Sequence, residues 1–150
     1  MQSDLLLLLR LAAAALCTGA VGYERERAGK SAGLRTHMLV GIGAALFVAL
    51  TQTIVSDAMG QPPGVIRPDP LRAIDAVATG IGFLGGGIIF VSSRDERVRG
   101  LTTAASVWTA SALGVACGLG RWTLAVGATA LCLLVLHGLA RFERNDAPSR

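Results

Sequence analysis

The chain has 150 residues, 52% of them hydrophobic and 16% charged, with a mean hydropathy of +0.55. That balance is too apolar for an ordinary soluble domain. The net charge of +4 does not point to nucleic acid, because no soluble domain is available to present a basic face.

Five apolar runs follow one another: Leu5 to Tyr23, Met38 to Val55, Ala76 to Val91, Leu101 to Gly120 and Trp122 to Ala140. A bilayer span needs about 20 residues, with about 17 as the lower bound. The third run is just short of that and is expected to borrow Leu71 to Asp75. The fold class predicted is an all-α membrane protein with five transmembrane helices over residues 1–141, followed by a short cytoplasmic tail at 142–150.

The first run is read as a retained helix and not as a secretory signal. It opens with Met1-Gln2-Ser3-Asp4, acidic where a signal carries positive charge, holds Arg10 within its apolar part, and lacks a convincing cleavage motif. Ten of the fourteen Lys and Arg fall on one side of the proposed membrane: Arg25, Arg27, Lys30, Arg35, Arg94, Arg97, Arg99, Arg141, Arg144 and Arg150. The other side has Arg67, Arg72 and Arg121. Basic loops stay in the cytoplasm, so the N-terminus is expected outside and the C-terminus inside. The same basic belt suits anionic lipid headgroups.

The third run carries Gly80, Gly82, Gly85, Gly86 and Gly87 without a charge. In water each glycine would weaken a helix by about 1 kcal/mol relative to alanine. In a membrane glycines let helix backbones approach closely, and Gly82-xxx-Gly86 and Gly114-xxx-Gly118 are the expected packing pairs. Gly80-Ile81-Gly82-Phe83-Leu84-Gly85 matches a dinucleotide-binding fingerprint by letter, but it lies inside a span, with neither a preceding strand nor a following amphipathic helix.

Charged and polar residues near the helix ends admit two readings each. Glu24, Glu26, Asp95 and Glu96 face the starts of the second and fourth helices, where they either pair with those ends, with Arg35 and with Arg99, or form a solvated loop. Thr36, Thr102 and Thr103 stand where a hydroxyl caps a helix start. The order of Arg25-Glu26-Arg27 before Gly33-Leu34-Arg35-Thr36, and of Arg94-Asp95-Glu96-Arg97 before Gly100-Leu101-Thr102-Thr103, is either a weak internal repeat or coincidence. Arg10 and Asp75 reach comparable depth on one side. They form an intramembrane ion pair, or else Arg10 snorkels outward and Asp75 marks a helix start.

Chemistry is scarce. Cys17, Cys117 and Cys132 lie in apolar runs without metal or disulfide spacing, and His37 and His137 read as interfacial residues. No catalytic constellation, metal site or cofactor site is expected.

Five motifs remain: Gly22-Tyr23-Glu24-Arg25-Glu26, Ala32-Gly33-Leu34-Arg35-Thr36-His37-Met38-Leu39-Val40, Asp69-Pro70-Leu71-Arg72, Gly80-Ile81-Gly82-Phe83-Leu84-Gly85 and Arg99-Gly100-Leu101-Thr102-Thr103-Ala104-Ala105-Ser106-Val107-Trp108. In these residues and in their order the chain resembles the MgtC/SapB family. The resemblance implies a bacterial inner-membrane protein that supports adaptation to low magnesium and, in some pathogens, growth inside host cells. It further implies a non-enzymatic regulator whose partners are other integral membrane proteins, such as an ion-transporting ATPase or ATP synthase components. A homodimer through the glycine faces is a further expectation. The alternative is a carrier or channel for magnesium or another cation. The chain departs from the family pattern at Asp75 and Ala76, where a small residue and a glutamine are usual. Many family members also continue into a cytoplasmic domain, whereas this sequence closes at Arg150.

Overall fold

Apolar segments too long for a soluble core must satisfy every backbone donor and acceptor internally, which in lipid leaves the helix as the local solution. A computed structural model describes residues 2–59, 69–92 and 99–139. Arg67, the segment holding Arg94, Asp95, Glu96 and Arg97, and the tail with Arg141, Arg144 and Arg150 lie outside the described residues. The described elements are all helical: α1 (Gln2–Arg27), α2 (Leu34–Met59), α3 (Leu71–Ser92), α4 (Leu101–Gly118) and α5 (Trp122–Leu133), which runs on through a wider π-helical turn, Leu134–Leu139. Asp4–Arg27, Leu34–Ala58, Leu71–Phe90 and Leu101–Gly118 are long and apolar enough to cross a membrane, while Trp122–Gly138 is apolar but shorter.

The helix ends are set by local chemistry. α3 begins at Leu71, as the short third run requires, because Asp69 caps it. Its Oδ1 accepts the Leu71 N–H at 3.0 Å, and Pro70 fills the first helical position, where no donor is needed. α1 and α4 both close on a left-handed glycine, Gly29 at φ 66° and Gly120 at φ 71°. Lys30 N–H then returns to Arg25 O at 3.0 Å and Arg121 N–H to Ala116 O at 2.9 Å. A side chain at either glycine would be strained in that conformation.

α1, α2 and α4 pack against one another as a triangle, α3 leans on α4 with little contact to α2, and α5 flanks α1 and α4. The triangle closes on small residues. Gly114 and Gly118 of α4, one turn apart, lie against the backbone of Gly41 and Ala45 of α2. A methyl group at Gly114 would overlap the Gly41 carbonyl, and one at Gly118 would sit 2.6 Å from the Ala45 oxygen. Thr18 of α1 closes on Gly41 from the other side, its hydroxyl returned to Ala14 O at 2.7 Å. The centre is Ala14, Ala45, Ala116, Cys117 and Ala125, whereas Leu8, Leu16, Leu39 and Phe47 point outward. Small residues inside and large apolar ones outside are what close helix packing in lipid demands.

Of the two expected packing pairs, only Gly114 and Gly118 are used within the chain. Nothing lies within 4 Å of a methyl placed at Gly82 or Gly86. The reason is rotation: α3 turns Gly85 toward α4, where a methyl would lie 3.7 Å from Ala104 Cβ, which leaves Gly82 and Gly86 on its flank. The candidate span of α3 is accordingly 6% buried, against 61% for α4.

Gly114→Ala is expected to destabilise the bundle by about 1–3 kcal/mol through overpacking. Gly80→Ala, with open space at its position, should be neutral or stabilising by up to about 1 kcal/mol. Thermal unfolding of both variants in detergent checks this, and equal losses would reject the α2–α4 contact as the organising one.

Candidate functional site at the end of the first hairpin

The turn from α1 to α2 gathers the densest set of polar side chains in the described fold. Gly22 makes the approach feasible, since a methyl there would lie 2.8 Å from His37 Cβ and 2.9 Å from Leu34 Cα. Glu26, in the last turn of α1, reaches across and accepts the Leu34 N–H at 2.8 Å. A carboxylate at the start of α2 meets an orphan donor and the positive end of the helix dipole. Glu26 thus does what the sequence asked of a hydroxyl cap. At the start of α4 the capping position is Gly100, without a side-chain cap, so neither Thr102 nor Thr103 caps it. Thr102 is exposed and Thr103 buried.

His37 is the correction of most consequence. Read as an interfacial residue, it is instead fully buried, one α2 turn beyond Gly33. Its Nδ1 lies 2.9 Å from Gly33 O and must donate there, because a carbonyl only accepts. Its Nε2 lies 3.1 Å from Ser106 Oγ of α4, and Ser106 is also 2.8 Å from Thr103 O. Ser106 has one proton for two acceptors. With His37 neutral that proton serves either Thr103 O or Nε2, while an imidazolium donates to Ser106 and leaves the hydroxyl proton for Thr103 O.

Arg25 lies behind this pair and is 4% exposed. Its Nη1 is 3.7 Å from Glu24 Oε2, while its Nε and Nη2, and the same Glu24 oxygen, are buried with no hydrogen-bond partner among the described residues. Buried guanidinium nitrogens without such partners are costly, so Arg25 itself is held in place by the packing around it. Tyr23 and Arg27 stay at the surface, the guanidinium carbon 5.5 Å from the ring centroid. Arg35 is exposed and Thr36 half-buried, so the structure brings together Glu24, Arg25, Glu26 and Gly33 but leaves Arg35 outside.

The opposite end of the triangle has its own cation. Arg10 Nη1 donates to Gln52 Oε1 of α2 at 2.7 Å and to Gly118 O of α4 at 2.9 Å. The anticipated pair with Asp75 is not formed: Asp75 is exposed on α3, which does not adjoin α1. The C-terminal carbonyl of α4 is a better partner, because it is an orphan acceptor at the negative end of a helix dipole. Asp69 is a helix cap, Arg72 is exposed, and Gly80 and Gly82 face open space while Gly85 packs.

A double-mutant cycle should find about 1–2 kcal/mol of coupling between Arg10→Met and Gln52→Leu, and none between Arg10→Met and Asp75→Asn. Coupling to Asp75 would restore the ion pair. Arg25→Met made together with Glu24→Gln, so that no buried carboxylate is left alone, should leave the thermal midpoint unchanged or higher. His37→Ala, which opens a cavity and removes the α2–α4 bond, should cost about 2–4 kcal/mol. Equal losses at both would mean that Arg25 is fully bonded.

These motifs, now placed in a fold, can be compared with known proteins. A model of the MgtC family matches residues 11–145. The putative magnesium transporter YhiD of Escherichia coli K12 is 41% identical over 130 residues, which cover 87% of this chain and 59% of that protein. SrpB of Synechococcus elongatus is 39% identical over 150 residues, covering 95% and 80%. MgtC of Salmonella typhimurium is 39% identical over 143 residues, covering 94% and 56%. The chain therefore spans little more than half the length of YhiD and MgtC. No solved structure matches it. With its motifs in order and the match running through all five helices, the chain is a multi-pass membrane protein that belongs to the MgtC family.

Proposed function

We propose that this chain is a non-enzymatic regulator of other membrane proteins in magnesium homeostasis, serving adaptation to low magnesium or host stress. Its place is the bacterial inner membrane, N-terminus outside and C-terminus cytoplasmic. Partners of the kind implied by the family resemblance are an ion-transporting ATPase or ATP synthase components.

The observation that carries this reading is the contrast between a closed core and an open α3. The α2–α4 contact is made at backbone level through Gly41, Ala45, Gly114 and Gly118, which leaves no room between those helices for a hydrated ion. Magnesium keeps several waters and takes oxygen ligands, so a path for it would need space and polar lining. α3, by contrast, offers Gly80, Phe83, Gly87 and Phe90 on the side away from α4, both phenylalanines exposed. Next to them runs an apolar groove of about 320 Å³ between α2 and α3, bounded by Val40, Gly43, Val77 and Gly80. Alternating small and large residues on an open face suit a helix of another membrane protein.

A second reading, cation transport, has the name of the Escherichia coli relative in its favour. Two assays separate the readings. Purified protein in liposomes is expected to pass no magnesium beyond empty liposomes, and Gly87→Leu is expected to insert normally yet fail to rescue growth of a deletion strain in magnesium-poor medium. Flux from folded protein would make it a transporter. Rescue by Gly87→Leu would remove the α3 face from the mechanism.

A further inference from the structure

A different flank of α3 carries a pattern that the closed bundle does not use. Arg72, Asp75, Thr79, Gly82 and Gly86 follow one another at alternating spacings of three and four residues, which sets them on one stripe of a helix. That stripe lies about 100° round the helix from Gly85, the residue turned to α4. All five are exposed, and open space surrounds Gly82 and Gly86. Among the described residues neither Arg72 nor Asp75 has an ion-pair partner.

We infer that this stripe receives the same stripe of a second copy, forming a parallel two-fold dimer in the membrane. The charges select that occupant. Copies of one chain insert with one topology, so a two-fold axis along the membrane normal sets the two α3 helices parallel and in register. Arg72 and Asp75 are then about one turn apart along the seam, and the long arginine side chain of each copy reaches the carboxylate of the other. The surface is its own complement: two symmetric ion pairs form at one end, and the backbones close at Gly82 and Gly86 further along. Each ion pair sits at the start of the span, where a charge need not be carried to the bilayer centre. Gly80 and Gly87 of the regulatory face lie about 100° or more further round the helix, so Gly87→Leu probes that reading without altering the seam.

The full chain, with Cys17, Cys117 and Cys132 replaced by alanine, is tested in native membranes by oxidative crosslinking. Gly86→Cys is expected to give a disulfide-linked dimer and Phe83→Cys about tenfold less. In the Gly86→Cys background, Arg72→Asp leaves two acidic positions on each copy and Asp75→Arg two basic ones. Each alone should crosslink about tenfold less than the parent, as like charges face each other across the seam. Expressed together the two should recover the parental yield, because an all-acidic copy fits an all-basic one. A pair confined within one helix would not give that recovery. Equal crosslinking at Phe83→Cys and Gly86→Cys, or charge variants that dimerise alone as well as together, would overturn the dimer. Unchanged monomer thermal midpoints keep loss of fold from imitating loss of contact.

Discussion

The approach of α2 to α4 at the level of the backbone is what the rest of this structure depends on. In lipid, apolar side chains gain nothing by leaving one hydrocarbon surface for another, so helices associate through contact area and polar bonds. Gly41 and Ala45 against Gly114 and Gly118 supply the contact. With those two helices fixed, α1 falls into the groove between them, Thr18 on Gly41, and the triangle is complete. The large leucines and phenylalanines are left to face the surroundings.

Polar bonds then fasten each end of the triangle. At one end Arg10 joins α1 to α2 and to the carbonyl end of α4. At the other, His37 joins α2 to α4 through Ser106, and Glu26 ties the end of α1 to the start of α2. The two ends differ in kind. Arg10 places Nη1 on two oxygens and keeps only Nε buried without a partner among the described residues, whereas Arg25 keeps both Nε and Nη2 so. Buried polar groups of this kind need a reason beyond stability, and the Glu24–Arg25–His37 cluster is where this fold holds them together.

How far the sequence could be read follows from which forces act locally. Helix number, the extension of α3 back to Leu71 and the family were all legible, because apolar runs, the Asp69-Pro70 start and ordered motifs are written along the chain. Gly114 and Gly118 were found from spacing alone. Gly82 and Gly86 share that spacing, yet the chain does not use them within its own core, since spacing reports a surface and not which helix will meet it. The Arg10–Asp75 pairing failed for a related reason: depth in the membrane was inferred, but neighbour order around the bundle was not. His37 was missed because a histidine close to a helix start looks interfacial until α4 is seen to cover it. One signal was available in Gly41-xxx-Ala45, which mirrors Gly114-xxx-Gly118 and places α2 under α4.

The bond from Arg10 to the Gly118 carbonyl joins residues 108 positions apart. During synthesis α1 therefore enters the bilayer long before its acceptor on α4 exists. Until α4 arrives, the guanidinium has only Gln52 or the headgroup layer to turn to. The first helix thus gains its full set of partners only once the fourth has been made and inserted, and this end of the triangle closes only when α4 is in place.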